Sequence, residues 1–329
     1  MGLKGYIARR LVYTVILIWA VITVNFIIFA LMPGNPIEAY VSKLSKMDET
    51  KFQQMLKYYG LDKPLHERYL LSLEHLLTFN FGISYNYGSP VFEVIMQRLP
   101  NTLLLGGIAE VTSIILGMLI GVIVAYKRGG ALDTGIVTAS LLTYSVPIFF
   151  LGWVLITIFC LQLHWLPTGL EQPVAWSRVP PSSIFEYISG RLYHIALPAI
   201  TLILFTVGGW ILLTRACILE VISEDYVLTA RAKGLKERTV LYKHVLKNAS
   251  LPLITNVALG FAYIISGATI TETLFSYRGM GLLTYSAIMT GPDLPLLQAI
   301  FYILALCVII ANLIADLLYG IIDPRIKYA

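Results

Sequence analysis

The polar residues best suited to protein recognition lie in one basic segment between two long apolar runs. The segment extends from Asp225 to Pro252 and reads DYVLTARAKGLKERTVLYKHVLKNASLP. Gly234 separates two short helical patterns, and a glycine there can adopt the positive φ that ends the first helix. A basic loop between membrane spans normally stays in the cytoplasm. The pattern therefore predicts a cytoplasmic helix–glycine–helix loop that another protein can grip. Its cations are Arg231, Lys233, Lys236, Arg238, Lys243 and Lys247.

The first helical pattern of this segment admits two interpretations. One is a lever, Asp225 to Lys233, that projects from the membrane into a partner. The other is an amphipathic helix that lies on anionic lipid, held by its lysines. Polar and acidic residues favoured at a helix start precede the pattern, namely Ser223, Glu224 and Asp225. One apolar side is predicted from Tyr226, Val227, Ala230 and Leu235.

Signals for catalysis are absent from the sequence. No P-loop, H-E-x-x-H or G-x-S-x-G motif occurs, and no cysteine and histidine set has metal-ligand spacing. Cys160, Cys217 and Cys307 all fall inside apolar runs, where free thiols behave as small apolar residues. We therefore predict that this chain is not an enzyme and holds no cofactor or metal.

Ionisable residues within or beside apolar runs are candidates for a solute path, because charge is costly in a membrane. Glu110 either faces such a path or pairs with a partner helix. Glu272 ends an apolar run beside Arg278, where the two form either a local salt bridge or an outer-gate contact. Arg215 is expected to extend to the cytoplasmic surface.

Proline breaks mark a second candidate region. Pro147 interrupts an apolar run just after Tyr144 and Ser145, and Pro198 opens the next run. Broken helices are tolerated in a membrane where polar groups line a cavity, although a simple kink is commoner. The candidate path or gate residues are therefore Glu110, Tyr144, Ser145, Pro147, Glu272 and Arg278.

Composition sets the fold class. Of 329 residues, 57% are hydrophobic and 13% are charged, against about 25% charged in soluble domains. We predict an all-α polytopic membrane protein, with no basic face of the kind that binds nucleic acid. The six predicted spans are Leu11–Leu31, Thr102–Tyr126, Thr134–Gln162, Ile195–Cys217, Leu253–Thr271 and Leu296–Leu318.

The basic residues predict the orientation of these spans. Clusters occur before the first span, after the second, in the 225–252 loop and after the last, and six spans place all of them on one side. Because loops rich in lysine and arginine stay inside, both termini are predicted to be cytoplasmic.

A polar insert, Pro33 to Pro100, then lies outside the cell. Its lysines are balanced by acidic residues, and Pro64 marks the start of a helix. We predict a small folded subdomain that either seats an external receptor, with Tyr85 and Tyr87 as contacts, or caps the pore passively. The apolar face of its helix is predicted from Leu65, Tyr69, Leu70, Leu73, Leu76 and Leu77.

Motifs in order along nearly the whole chain resemble the dipeptide/oligopeptide branch of ABC importer permeases. The coupling loop of that branch is similar to ARAKGL followed by a histidine and N-A-x-L-P. Further similar stretches are MPGNP at 32–36, YGLDKP at 59–64, FGISYNYGSPVFEVIMQRLPNTLLL at 81–105, ETLFSYRGMGLL at 272–283 and DLLYGIIDPRIKY at 316–328. Arg278 and Asn35 depart from the proline and aspartate that are usual in the family.

The resemblance implies an ABC type I importer permease fold of six transmembrane helices. It divides the chain into 1–32 with the first helix, the external subdomain 33–100, and a five-helix core 101–329 with a coupling loop 223–252. It also implies that Asp225, Tyr226, Thr229, Ala230, Arg231, Ala232, Lys233, Gly234 and Leu235 couple the chain to an ATPase.

The partners implied are a second homologous permease, two cytoplasmic ATP-binding subunits, an external substrate-binding protein and membrane lipid. ATP and Mg²⁺ would bind the ATPase subunits. The implied function is half of a translocation path for peptides in the cell membrane of a prokaryote. Within this class the solute could instead be an oligosaccharide or a metal chelate, and from another class the alternative is a stand-alone secondary transporter.

Overall fold

The computed structural model describes residues 3–30, 53, 57–58, 60, 62–250, 252–254, 256–257, 260, 268–291 and 293–322. Within these ranges the chain is helical, and Ile83 and Pro90 form an isolated antiparallel bridge. The principal helices are α1 Leu3–Ala30, α2 Leu65–Leu77, α3 Val91–Tyr126, α4 Ala131–Ser145, α5 Ile148–Leu155, α6 Ile184–Ile222, α7 Asp225–Ala232, α8 Thr269–Leu274, α9 Met280–Met289 and α10 Leu294–Ile322. Shorter helical segments are a π-helix Ile156–Gln162 that continues α5, a 3₁₀ turn Val174–Ser177, a turn Glu237–Thr239 and a π-helix Val240–Leu246.

Among the described residues, four helices are long and apolar enough to cross a membrane: α1, α3, α6 and α10. Helix α4 is followed by α5 and its π-helix with a bend of 101° between them. If this bent pair is counted as one broken span, it is a fifth candidate. These helices confirm the predicted all-α membrane fold class. Most of the predicted span Leu253–Thr271, the 32–36 motif and the 323–329 end lie outside the described residues.

The observed helix limits correct two expectations. Helix α3 begins at Val91 rather than Thr102, and α6 begins at Ile184, eleven residues before the predicted start of that span at Ile195. Ser183 explains the second difference, because its Oγ accepts a hydrogen bond of 3.1 Å from the Glu186 backbone N–H, as in a capping box. Pro198 consequently lies inside α6 and does not open it.

The break at Pro147 is confirmed. Helix α4 ends at Ser145, and Pro147 precedes α5 as its N-cap with extended backbone angles. A proline has no N–H to continue the helical ladder, and it disfavours a helical conformation at the residue before it. The sharp bend of the third span follows from these two effects.

Two compact units divide the chain, and the first comprises 1–101 and 279–329. In this unit α1 packs on α10 and on α2. Asn25 of α1 donates a hydrogen bond of 3.0 Å to the backbone oxygen of Gln298 in α10. At the other end of the pair, Arg10 forms a 2.6 Å ion pair with Asp316. Apolar packing and these polar contacts together fix the two spans against each other.

Helix α2 follows Pro64, as predicted, but its buried side is narrower than expected. Leu76 is buried and Leu73 packs against the same core, whereas Leu65, Leu70 and Leu77 are exposed. A second contact comes from Tyr69, whose ring meets Phe26 edge-on at 5.4 Å. The predicted apolar face is therefore too broad, because the packed residues Tyr69, Leu73 and Leu76 follow one narrow line at spacings of four and three residues.

The second unit, 102–278, is organised by a close approach of α3 and α6. A Cβ at Gly117 would overlap Trp210, and one at Gly121 would lie 2.6 Å from the Thr214 Cβ. These two glycines stand four residues apart on α3, which is the small-residue spacing that lets membrane helices approach closely. Helices α4 and α5 also pack along α6 in this unit.

In the first unit, a buried carboxylate connects a surface loop to the start of α10. Asp293 is fully buried, and it accepts hydrogen bonds from Ser84 Oγ at 2.6 Å and from the Asn86 backbone N–H at 2.9 Å. Its other oxygen accepts one from the Leu296 backbone N–H at 3.2 Å, at the helix start where a negative charge is favourable. This network holds the loop that carries Tyr85 and Tyr87.

We expect Asp293→Ala to destabilise the first unit, because it leaves three donors without an acceptor, two of them in buried hydrogen bonds. The loss should be about 2 kcal/mol, since a hydrogen bond to a charged group contributes roughly 1.5–3 kcal/mol. Thermal unfolding of the purified protein in detergent measures it. Asp62→Ala, at an exposed aspartate, is the control and should change stability little. Equal midpoints for the two variants would contradict this role of Asp293.

Candidate functional site

The 223–252 loop contains the short helix α7, which ends at the predicted glycine. Gly234 has φ +73°, and its N–H donates a 2.9 Å hydrogen bond to the Arg231 carbonyl oxygen. A Cβ at Gly234 would meet nothing within 4 Å. Glycine is therefore required here for its backbone conformation and not for space, which confirms the prediction made from the sequence.

One side of α7 is fixed to the ends of the spans. Val227 and Ala230 are buried, three residues apart on the helix. They pack in a cluster with Ala125 of α3, Ile218 of α6 and Val240 of the following π-helix. Any displacement of α7 must therefore also disturb the ends of α3 and α6.

The other side of α7 is open. Tyr226 and Leu235 are each 40% exposed and Leu228 is 66% exposed, so the predicted apolar side holds only for Val227 and Ala230. The reason is helical spacing, since residues 227 and 230 share a face that 226 and 228 do not. The remaining predicted coupling residues are also exposed: Asp225, Thr229, Arg231, Ala232, Lys233 and Gly234.

Polar contacts hold this loop in one conformation. Arg231 forms a two-pronged ion pair with Glu237 across the Gly234 turn, at 2.7 Å and 3.3 Å. The hydrogen bonds from Arg231 hold the pKa of the Glu237 carboxyl below its usual value. Asn248 Nδ2 donates a 2.9 Å hydrogen bond to Tyr226 Oη. These contacts connect both the start and the end of α7 to later residues of the loop, and they hold its exposed face in one orientation.

Within the second unit, a cavity of about 570 Å³ lies among the membrane-spanning helices. Glu110 of α3 and Tyr144 of α4, both predicted path residues, lie in its wall. Ser145 and Pro147 belong to the break beside it, where Ser145 Oγ donates to the Leu141 carbonyl oxygen at 2.7 Å. The described wall consists of Gly106, Ala109, Glu110, Tyr144, Ile148, Leu202, Phe205, Thr206, Gly209, Trp210, Leu213, Asn256, Gly260 and Ala268.

Glu110 is half-buried in this wall. Its Oε1 accepts a 3.2 Å hydrogen bond from Trp210 Nε1 of α6. A Cβ at Gly260 would overlap the same oxygen, so that position leaves room for the carboxylate. The structure thus gives Glu110 a neighbour on another helix and an opening to the cavity at the same time.

Glu272 and Arg278 do not belong to the described wall of this cavity. Glu272 is fully buried in α8 and accepts a 2.6 Å hydrogen bond from Thr102 Oγ1 of α3. Arg278 forms an ion pair with Glu171 at 3.6 Å. In the loop that carries Glu171, the Leu170 N–H donates a 3.0 Å hydrogen bond to the Phe275 carbonyl oxygen. These contacts join the 169–171 loop to the segment after α8.

An ion pair that the sequence did not predict joins α4 and α6. Arg215 of α6 donates to both carboxylate oxygens of Asp133 in α4, at 2.7 Å and 2.9 Å. The sequence predicted that Arg215 extends to the cytoplasmic surface but did not predict this partner. Asp133 also accepts the Gly129 N–H at 2.8 Å, so the pair fixes the start of α4. The sequence signal for this pair was an aspartate just before the predicted span Thr134–Gln162 and an arginine near the end of the next span, Ile195–Cys217.

This arrangement of apolar helices, a broken span and an internal cavity defines a helical multi-pass membrane protein. A family model described as the inner membrane component of binding-protein-dependent transport systems matches residues 117–328, and the model of its N-terminal part matches 3–106. The chain belongs to this family of transport-system membrane components.

Relatives match over nearly their full length. The chain is 35% identical over 328 residues to the oligopeptide transport system permease protein AppB of Bacillus subtilis, covering 99% of this chain and 100% of that protein. It is 35% identical over 335 residues to the di/tripeptide permease protein DppB of Pseudomonas aeruginosa (98% and 99%). It is 32% identical over 338 residues to the dipeptide permease protein DppB of Escherichia coli (98% of each).

A solved structure shares the fold. A chain of the inward-facing MetNI methionine ABC transporter matches with a TM-score of 0.55 at 13% identity, covering 70% of this chain and 96% of that one. At this identity the likeness concerns the fold alone. It supports the predicted importer-permease fold.

The Asp133–Arg215 pair predicts a charge-reversal result. Asp133→Arg or Arg215→Asp alone places two like charges together and should lower expression and the thermal midpoint clearly. The double variant restores opposite charges and should recover much of the loss, although not the hydrogen bond from Gly129. Lys127→Ala, at a nearby exposed lysine, is the control. A double variant that is no better than the worse single variant would contradict the pairing.

Proposed function

We propose that this chain is one transmembrane subunit of an ATP-driven importer and forms half of a translocation path for di- and oligopeptides. The observation that carries the proposal is α7, a short helix buried by Val227 and Ala230 against the ends of two spans. Its outer face is exposed and mixes Tyr226 and Leu228 with polar and charged residues such as Asp225 and Arg231, and Leu235 is exposed just beyond the Gly234 turn. A helix held on one side and exposed on the other suits a groove on another protein.

The peptide class is supported by the relatives, since AppB and the DppB proteins are named for oligopeptide, dipeptide or di/tripeptide transport. The cavity beside Glu110 supports a path through the second unit, because it lies among membrane-spanning helices and contains polar groups. We propose that the coupling residues Asp225 to Leu235 contact an ATPase and that Glu272 and Arg278 act at an outer gate.

In the proposed assembly, a second homologous permease completes the path and two cytoplasmic subunits bind ATP and Mg²⁺. An external binding protein delivers the peptide. This chain holds no ATP site of its own in the proposal, which accords with the lack of a P-loop in its sequence. Movement of α7 would reach the cavity through α6, which carries both Ile218 and Trp210.

Reconstituted transport tests this function directly. The chain, purified with its cognate permease, ATPases and binding protein, should move labelled trialanine into proteoliposomes only when ATP and the binding protein are supplied. If an oligosaccharide or a nickel chelate inhibited this uptake and unlabelled peptide did not, the solute would belong to that other class. Gradient-driven uptake by this chain alone would contradict the importer and favour a secondary transporter.

Gly234 gives a sharper test of coupling. Gly234→Pro cannot adopt φ +73° and removes the N–H that reaches Arg231. Peptide-stimulated ATP hydrolysis should fall about tenfold or more, within the usual range of coupling free energies, and less ATPase should copurify. Gly234→Ala keeps the N–H and should lose less.

The matched control is Gly107→Ala, at a helical glycine with open space around it. This variant should behave as the wild type. Full stimulated hydrolysis in Gly234→Pro, with normal ATPase binding, would exclude α7 as the coupling element.

The proposed orientation places both termini and the 223–252 loop in the cytoplasm. A single cysteine at Lys236, in a chain without its three native cysteines, should react with a membrane-impermeant thiol reagent only after the cells are opened, because the loop is basic. A cysteine at exposed Tyr87 is the paired control and should react in intact cells. Labelling of the Lys236 cysteine from outside would reverse the topology.

A further inference from the structure

Glu110 is an unbalanced charge in the cavity wall. It is the one acidic or basic residue among the described wall residues. Trp210 Nε1 donates to Oε1, whereas the described residues donate no hydrogen bond to Oε2. One carboxylate oxygen therefore remains available to a donor that enters the cavity.

A lone carboxylate among membrane-spanning helices is costly to maintain unless a cation meets it. The described wall supplies no lysine, arginine or histidine. A cation that meets this carboxylate would therefore come from outside the described wall, from a ligand or from another chain.

The surrounding rings favour a particular kind of cation. Tyr144 and Phe205 stack with their centroids 6.2 Å apart and a 19° angle between the rings, and both line the cavity. Trp210 completes the aromatic wall beside Glu110. Aromatic faces attract ammonium groups, and a carboxylate accepts the hydrogen bonds that such groups donate.

We propose that Glu110, with Tyr144, Phe205 and Trp210, forms a subsite for a primary ammonium group of the passing solute. This inference rests on the proposed function, because peptides carry such a group at the amino terminus and on lysine side chains. Both sources present the same chemistry to the carboxylate.

The site is suited to passage rather than to retention. A transport path must hold its solute firmly enough to admit it and weakly enough to release it. One oxygen of Glu110 is shared with Trp210, and the rest of the described wall is uncharged, with aromatic rings and the polar groups of Thr206 and Asn256. An ammonium group would therefore gain one charged partner without the complete set of acceptors that would trap it.

A cysteine reporter tests the charge preference without any transport step. Gly209 lines the cavity, and a side chain placed there meets Tyr144 no closer than 3.7 Å. Gly209→Cys is made in the assembled complex, with this chain's native cysteines replaced. The ratio of its reaction rates with aminoethyl methanethiosulfonate, an ammonium reagent, and neutral methyl methanethiosulfonate is then measured.

Glu110→Gln should lower this ratio about fivefold or more, because an opposite charge a few ångströms away favours the ammonium reagent. Glutamine keeps an oxygen for Trp210, and Glu110→Asp should retain most of the preference. Glu220→Gln, at an exposed glutamate near the end of α6, is the matched control and should leave the ratio unchanged. The same ratio in Glu110→Gln and wild type would overturn the proposal, including the case in which a cation of the second permease already neutralises Glu110.

Protection of the cysteine by peptides identifies the source of the ammonium group. Trialanine should slow labelling of the cysteine by the neutral reagent, and N-acetyl-trialanine should not. Slower labelling with N-acetyl-Ala-Lys-Ala would show that a lysine side chain also supplies the ammonium group. Equal protection by the acetylated and free tripeptides, or protection by neither, would overturn the subsite. If peptide uptake fails while the Glu110-dependent ratio persists, the proposed solute is wrong and the ammonium preference stands.

Discussion

The close approach of α3 and α6 is the contact on which the second unit depends. Gly117 and Gly121 have no side chains, so the backbone of α6 at Trp210 and Thr214 can lie directly against α3. This approach brings Trp210 within hydrogen-bond distance of Glu110. In lipid, water exclusion gives little drive for helices to associate, so such packing and interhelical hydrogen bonds must supply the stability. The close packing and the interhelical hydrogen bond both lie on the side of α6 that faces α3.

Helix α6 is then the element that relates the cavity to the cytoplasmic loop. In chain order it carries Trp210 at the cavity, Arg215 opposite Asp133, and Ile218 against α7. A helix transmits displacement along its axis because each backbone bond constrains the next turn. The ion pair makes α4 move with α6, and the buried Val227 makes α7 move with both. This continuity is a physical route for the proposed coupling.

Local sequence signals predicted the features that depend on local chemistry. The turn at Gly234 and the break at Pro147 follow from the backbone limits of glycine and proline, so their structures agreed with expectation. The Asp133–Arg215 pair joins residues far apart in sequence, and nothing local indicates that their helices meet. The start of α6 was missed because hydropathy identifies the apolar part of a helix but not a polar extension beyond it, which here begins at the Ser183 cap. The Glu110 carboxylate was recognised as unusual, but only packing could show its tryptophan partner.

The cavity itself results from small residues as much as from polar ones. Gly106, Gly209 and Gly260 contribute walls without side chains, and a side chain at Gly260 would occupy the space of the Glu110 carboxylate. Space beside a charge also lets that charge change partners, whereas the bidentate Asp133–Arg215 pair is held on both oxygens. The two carboxylates thus have opposite physical roles: Asp133 fixes the start of a helix, and Glu110 remains open to a ligand.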